Sequence, residues 1–197
     1  MWTKLQMNRG IIGLSLTFIL LALSLNPILG QDESIPTAEH DAQIANDWML
    51  RLYELVRDEN INAPAASRFY AYAGVALYEA VVPGMPSNFS IGGQVDGLAM
   101  LPYPEDGLVY DYPSIANASL ATVIYDLFEE AGASEATFDQ IEAMREEQRT
   151  LRLGSVDAEV VERSETLGEA IGTAISEWRA ADGYADIQTY EYELPTG

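Results

Sequence analysis

The sequence predicts an all-α fold, a bundle of about five helices with one long Gly/Pro-rich loop. Apolar residues recur at steps of three and four along most of the chain, the period of a one-sided helix. Residues that start or stop helices (Pro64, Pro83, Pro113, Gly132, Ser134, Gly154) bracket those periodic stretches. No stretch shows a convincing two-residue alternation, and there is no internal repeat.

Residues 1–30 read as a signal peptide. Lys4 and Arg9 precede an uncharged apolar run from Ile11 to Leu25, followed by Asn26, Pro27 and the small residue Gly30. The run is shorter than the roughly 20 residues of a membrane span. Cleavage after Gly30 and export, to the periplasm or the medium, are expected, with no membrane span once the segment is removed. An uncleaved N-terminal anchor is the alternative. Residues 31–40 are polar, contain Pro36 and read as a flexible lead-in.

The helical module is expected over 41–182. Its first helix spans about 41–58, with Ile44, Trp48, Leu52 and Leu55 at steps of four, four and three. Pro64 suits the first turn of a second helix, where its missing N–H costs nothing. From Ala65 to Val82 that helix is rich in Ala and aromatic residues all round, which predicts a buried central helix whose Ala and Gly positions admit close neighbours. Pro83 ends it. Residues 83–112 are punctuated by Pro83-Gly84, Pro86, Gly92-Gly93, Gly97, Pro102, Pro104 and Gly107, a loop long enough to be functional or to wrap the core.

Pro113 opens a third helix through Ile115, Ala118, Thr122, Tyr125 and Phe128, which stops near Gly132. Ser134 is the expected N-cap of a fourth, carrying Phe138, Ile141, Met144 and Leu151. After Gly154 a fifth places Val160, Leu167, Ile171, Ala174, Ile175 and Trp178 on one side and breaks at Asp182-Gly183. Residues 183–197 form a tail.

Composition excludes several function classes. Among 197 residues there are 31 acidic, 10 basic and one His, for a net charge of −21, and no Cys. Without Cys there is no disulfide scaffold, thiol nucleophile, zinc finger or iron–sulfur cluster. So acidic a chain is a poor partner for nucleic acid, where affinity comes from Lys and Arg neutralising phosphates. One His excludes any mechanism that needs two imidazoles from this chain. Both charges in residues 1–30 are basic, so the remainder carries all 31 acids against eight Arg and no Lys. Such a surface keeps a protein soluble by self-repulsion that salt screens.

Few residues invite chemistry. His40 is expected to be an exposed residue of the lead-in. The acidic pairs Glu129-Glu130 and Glu146-Glu147 read as solvated helix faces, and Asp182, Asp186 and Glu191 do not complete a calcium loop. Asn88-Phe89-Ser90 and Asn117-Ala118-Ser119 fit the glycosylation pattern, which is common by chance. Arg68 and Glu79 both interrupt the most apolar helix. Eleven residues apart, they share a helix face, yet a rise of about 16 Å is too far for them to pair with each other. Each therefore needs a partner elsewhere, because an unpaired buried charge is costly. They are candidates for structural ion pairs, with a binding role as the alternative.

The order of pieces resembles a known family. Residues 46–57 (Asn-Asp-Trp-Met-Leu-Arg-Leu-Tyr-Glu-Leu-Val-Arg) precede Ala63-Pro64-Ala65-Ala66-Ser67-Arg68-Phe69-Tyr70-Ala71, then Val75-Ala76-Leu77-Tyr78-Glu79-Ala80-Val81 and, later, Arg179-Ala180-Ala181-Asp182-Gly183-Tyr184. Over roughly 44–195 this resembles the N-terminal helical half of vanadium-dependent haloperoxidase-like proteins, within the type-2 phosphatidic acid phosphatase superfamily. Glu79 stands where family members often have Asp. The resemblance implies a parent activity of peroxide-dependent halide oxidation or phosphate monoester hydrolysis, with vanadate as cofactor of full-length relatives. It also implies an oxyanion site built from a Lys and an Arg, a Pro-Ser-Gly-His stretch, and a later Arg and His. This sequence has no Pro-Ser-Gly-His, no second His and no Lys beyond residue 30. No catalytic, cofactor-binding or metal-ligating residue is therefore assigned. The expectation is a truncated or naturally short N-terminal module whose tail leads towards an absent catalytic half, inactive alone. Its partner is a second copy, as a homodimer, or a catalytic half on another chain. A stand-alone secreted helical binding protein, using the loop at 83–112, is the other class.

Overall fold

The computed structural model describes residues 33–187, so the predicted signal segment, Glu191 and most of the tail lie outside it. The described residues contain no strand. The helices are α1 (Gln43–Asp58), α2 (Ala63–Val81), α3 (Tyr112–Ala131), α4 (Glu135–Leu153), α5 (Ala158–Ala180) and a single turn, α6 (Tyr184–Ile187). Short 3-10 turns lie at Thr37–Glu39 and Val82–Gly84. Among the described residues no helix is long and apolar enough to cross a membrane.

The central helix is α3, not α2 as composition suggested. Each of the other four long helices packs on α3, and Ile115, Leu120, Val123, Ile124, Leu127 and Phe128 are fully buried along it. Alanine dominates α2, so its outward face buries little surface, and Ala71 and Gly74 lie exposed. Its inward face supplies Phe69, Ala73, Ala76 and Ala80, with the Phe69 and Phe128 rings edge to face at 5.1 Å. From α1 come Trp48, Leu52 and Leu55, and from α4 Ile141 and Met144. Trp48 donates its indole N–H to Asn117 Oδ1 at 2.9 Å, and Asn117 Nδ2 donates to the Arg145 carbonyl at 2.9 Å. Asn117 is thereby a core residue whose amide is spent, not an acceptor for a glycan, whereas Asn88 is exposed.

The close helix approach expected of α2 belongs to α5. Ser164, Gly168, Gly172 and Ser176, spaced by four, form its buried stripe. A Cβ on Gly168 would meet the Ile115 carbonyl and come within 2.8 Å of Ala118 Cβ, and one on Gly172 would stand 2.8 Å from Thr122 Cβ. Nothing lies within 4 Å of a Cβ on Gly74. The buried face of α5 is rotated accordingly: Val161 is fully buried, while Val160 and Trp178 are half-buried.

Local chemistry sets the helix ends. Asp111 caps α3, accepting from the Ser114 N–H at 3.1 Å and its hydroxyl at 2.6 Å. Arg152 closes the same carboxylate with two bonds of 2.9 and 2.7 Å. Gly132 ends α3 in the left-handed region at φ 70°. Ser134 occupies the N-cap of α4 as predicted, but its hydroxyl does not cap; it donates to Glu59 Oε1 at the end of α1, 2.5 Å away.

The lead-in is fastened rather than loose. Thr37 Oγ1 donates to the Val81 carbonyl at 2.7 Å, and Ser34 Oγ accepts from Tyr110 N–H at 2.8 Å. Thr37 and the Tyr112 ring fill the space a side chain at Gly84 would need. The long loop between Met85 and Asp111 is tied to helices at several points, among them the Tyr78 hydroxyl on the Phe89 carbonyl and Arg163 on the Val109 carbonyl. Glu79, only 3% exposed, accepts from the Ser90 hydroxyl and the Ile91 N–H, both at 2.7 Å. Trp178 donates its indole N–H to the Asp96 carbonyl at 3.0 Å.

Candidate functional site

The densest polar constellation gathers around Arg68, where α2 passes the ends of α3 and α5. Arg68 Nε donates to Asp182 Oδ2 at 2.6 Å and Nη1 to Glu130 Oε2 at 2.8 Å. Arg179, from the last turn of α5, bonds the same Glu130 oxygen. The Tyr72 hydroxyl, one turn along α2, donates to Asp182 Oδ2 at 3.0 Å, and the Tyr184 N–H donates to Oδ1 at 2.9 Å. The guanidinium also lies 4.5 Å from the centre of the Tyr184 ring.

Charge is balanced inside this cluster. Burial opposes the charge on Arg68, but the bonds to Asp182 and Glu130 outweigh it and raise its pKa. Burial likewise opposes the charge on Asp182, yet the bonds from Arg68, Tyr184 and Tyr72 hold its carboxyl below the usual range. Burial, reinforced by the bond to Asp182, pushes the Tyr72 phenol up to about 12. Beside the cluster opens a cleft of about 500 Å³, lined by Glu59, Asn60, Ile61, Phe69, Glu130 and Tyr184 among others. Its acids are committed, Glu130 to the two arginines and Glu59 to Ser134 and Thr137. The hydrogen bonds from Ser134 and Thr137 lower the Glu59 pKa. No His lines this cleft.

The two residues singled out from the sequence thus have different fates. Arg68 pairs with Glu130 and Asp182, 62 and 114 residues away. Glu79 is met by neutral donors of the loop instead of a cation, and the hydroxyl and amide of Ser90-Ile91 supply the bonds an Arg would have given. The structure does not bring the two together. Glu130, read as a solvated acid, is the shared acceptor of the cluster. Glu146 keeps its surface role, 3.9 Å from Arg149. His40 is half-buried rather than exposed, with a shielded Nε2. The buried Asp111–Arg152 pair escaped notice, although Asp111 two residues before Pro113 carried the signal of a capped helix start.

Vanadate is an oxyanion, so it needs converging positive donors not already neutralised. Arg68 and Arg179 do converge, but on the chain's own carboxylates. Arg152, Arg149 and Arg145 are likewise paired with Asp111, Glu165 and Glu169. Arg163 bonds the Val109 carbonyl instead of an acid, but it stands apart from the Arg68 cluster, so among the described residues these arginines do not form a site for the group.

No family model matches the chain, and no curated protein matches it. Among solved structures, the crystal structure of a bacterial vanadium-dependent iodoperoxidase is similar, with a TM-score of 0.65 at 23% identity. The match covers 78% of this chain and 35% of that one, so the chain spans about a third of the length of the protein it resembles. At that identity the likeness is one of fold: these helices have a vanadium haloperoxidase-like arrangement.

Proposed function

We propose that this chain is the N-terminal helical module of an exported vanadium haloperoxidase-like protein, within the type-2 phosphatidic acid phosphatase superfamily. The oxyanion chemistry of such a protein, peroxide-driven halide oxidation or phosphate monoester hydrolysis, belongs to a catalytic half outside these residues. That half would hold any vanadate, and this module would scaffold it, with contact to a second copy as a further role. The carrying observation is that the two converging guanidiniums, Arg68 and Arg179, are closed by Glu130 and Asp182. The likeness covering 35% of the iodoperoxidase supports it. The test is to incubate the purified chain with orthovanadate, iodide and peroxide, and separately with p-nitrophenyl phosphate. Rates equal to buffer with vanadate are expected; saturable, vanadate-dependent turnover by this chain would overturn the proposal.

One observation favours a second reading, a stand-alone secreted binding protein. The loop after α2 exposes Phe89 and Met100 at 78% each and Tyr103 at 61%, apolar surface suited to a partner. Circular dichroism during heating separates the two. A sharp cooperative transition favours the stand-alone protein, and helix that melts without cooperativity favours half of a larger core.

A further inference from the structure

One long helix faces solvent without a charge. The exposed residues of α2 are Ala63, Pro64, Ser67, Ala71 and Gly74, and its two charged residues, Arg68 and Glu79, are shielded and already bonded. Each of the other four long helices exposes at least one acid: Asp58 of α1, Glu129 of α3, Glu142 of α4 and Glu162 of α5. The uncharged face follows 19 residues of helix, a length of about 28 Å. It is small at its start, where Ala63, Pro64 and Ser67 lie, and bulky at its close. There the half-buried Tyr78 donates its hydroxyl to the Phe89 carbonyl at 2.8 Å, which fixes the 78% exposed Phe89 segment beside it. Along one edge Tyr70 lies close enough to Tyr53 of α1, itself 54% exposed, for their phenols to interact. Uncharged surface bordered by tyrosines is the make-up of an interface core.

Charge and shape select what covers it. A basic partner finds no acid on this face and is drawn to the other helices instead. A second copy, at a net charge of −21, is repelled by those acid-bearing sides and least where both faces lack charge. It also brings the complementary shape. In an antiparallel pair about a two-fold axis at Ala71, Tyr78 of one copy falls against Pro64 of the other, since each lies seven residues from the axis. Bulky ends then meet small ends, and the small residues let the helices close to ordinary packing distance. We infer that two copies of this chain pair antiparallel through α2, crossing near Ala71, with Tyr78 and Phe89 of each set on the Pro64–Ser67 end of the other. The inference rests on the second-copy role proposed above and not on the catalytic assignment, which the vanadate assay tests separately.

Sedimentation equilibrium of the purified chain is expected to show monomer and dimer with a Kd on the order of 10 µM. The dimer should tighten as sodium chloride rises, because salt screens the repulsion between copies while the contact itself holds no ion pair. Ala71→Glu, at an exposed position, should weaken the dimer by about tenfold or more. Thr166→Glu, exposed on α5, adds the same charge away from the face and should leave the dimer nearly as tight. The chain holds no Cys, so Ala71→Cys introduces a single thiol close to the axis. Oxidation with diamide should lock that variant as a dimer and should leave Thr166→Cys largely monomeric in denaturing gels. Thermal melts establish that each variant is folded. A chain that stays monomeric at about 100 µM in high salt would overturn the inference and leave the face to a different chain, such as a catalytic half. A dimer that ignores Ala71→Glu, that Ala71→Cys fails to lock, or that loosens with salt would overturn it equally.

Discussion

Arg68 is a charge placed in an apolar helix and made tolerable by residues distant in sequence. Its side chain is 10% exposed, and its two carboxylates are 23% and 29% exposed. Arg68→Ala leaves those acids facing each other beside Tyr72, at an expected cost of about 2–3 kcal/mol, below that of a fully buried pair. Urea unfolding measures it, and Arg68→Lys should recover only part, since an ammonium cannot reproduce the forked contact. Asp182 titrates below its unfolded value, so its contribution is complete above about pH 4 and is lost as the pH falls through its native pKa. Asp182→Asn should therefore lower stability at pH 7 and flatten its dependence on pH in acid. Tyr72 behaves oppositely. With its native pKa near 12 and an unfolded one near 10, stability should fall as the pH rises between those values. Tyr72→Phe should remove that alkaline loss, read as the change in melting temperature. The sequence marked Arg68 as anomalous but not its partners, because a pairing across 114 residues leaves no local trace.

At the scale of elements, helix ends were legible and helix faces less so. Pro113, Gly132 and Gly154 sit where the boundaries of α3 and α4 fall, and Pro113 and Gly132 act there through their own backbone. Which helix lies at the centre depends on what neighbours cover, and an Ala-rich sequence such as α2 reads as buried on every side. The same local view missed the role of Gly168 and Gly172, whose lack of a side chain matters only because α3 lies against them. Gly168→Ala should cost about 1–2 kcal/mol in equilibrium unfolding, because overpacking outweighs the gain in helix propensity. Gly74→Ala, with open space around its Cβ, should instead stabilise by roughly 0.5–1 kcal/mol. Opposite signs from two helical glycines would show that helix contact, not propensity, decides.

For the whole molecule, the excess of 21 negative charges is the dominant long-range term. Nine ion pairs among the described residues weaken with salt, but the more numerous unmatched acids repel over a Debye length that shrinks to about 10 Å at 0.1 M. Raising sodium chloride from low millimolar to molar levels should therefore lift the melting temperature by several degrees, about 2–4 °C for each kcal/mol gained. A fall would mean that the Arg68 and Arg152 pairs outweigh the repulsion. Fold class and helix number followed from local period and punctuation. The docked lead-in did not, because its anchors, Ser34 and Thr37, look like any polar residues until Tyr110 and Val81 stand opposite them.

The seats of the two described tryptophans make them distinct optical reporters. Trp48 is sealed in the core against Asn117, so its emission is that of a dry indole until the whole bundle opens. Trp178 is half-buried and hydrogen-bonded to the long loop, stacked edge-on against Tyr72 at 5.4 Å. Its emission tracks the lifting of that loop and the loosening of the Arg68 cluster. In Trp48→Phe protein a red shift that precedes the loss of helical ellipticity would time the release of the loop separately from the melting of the helices beneath it.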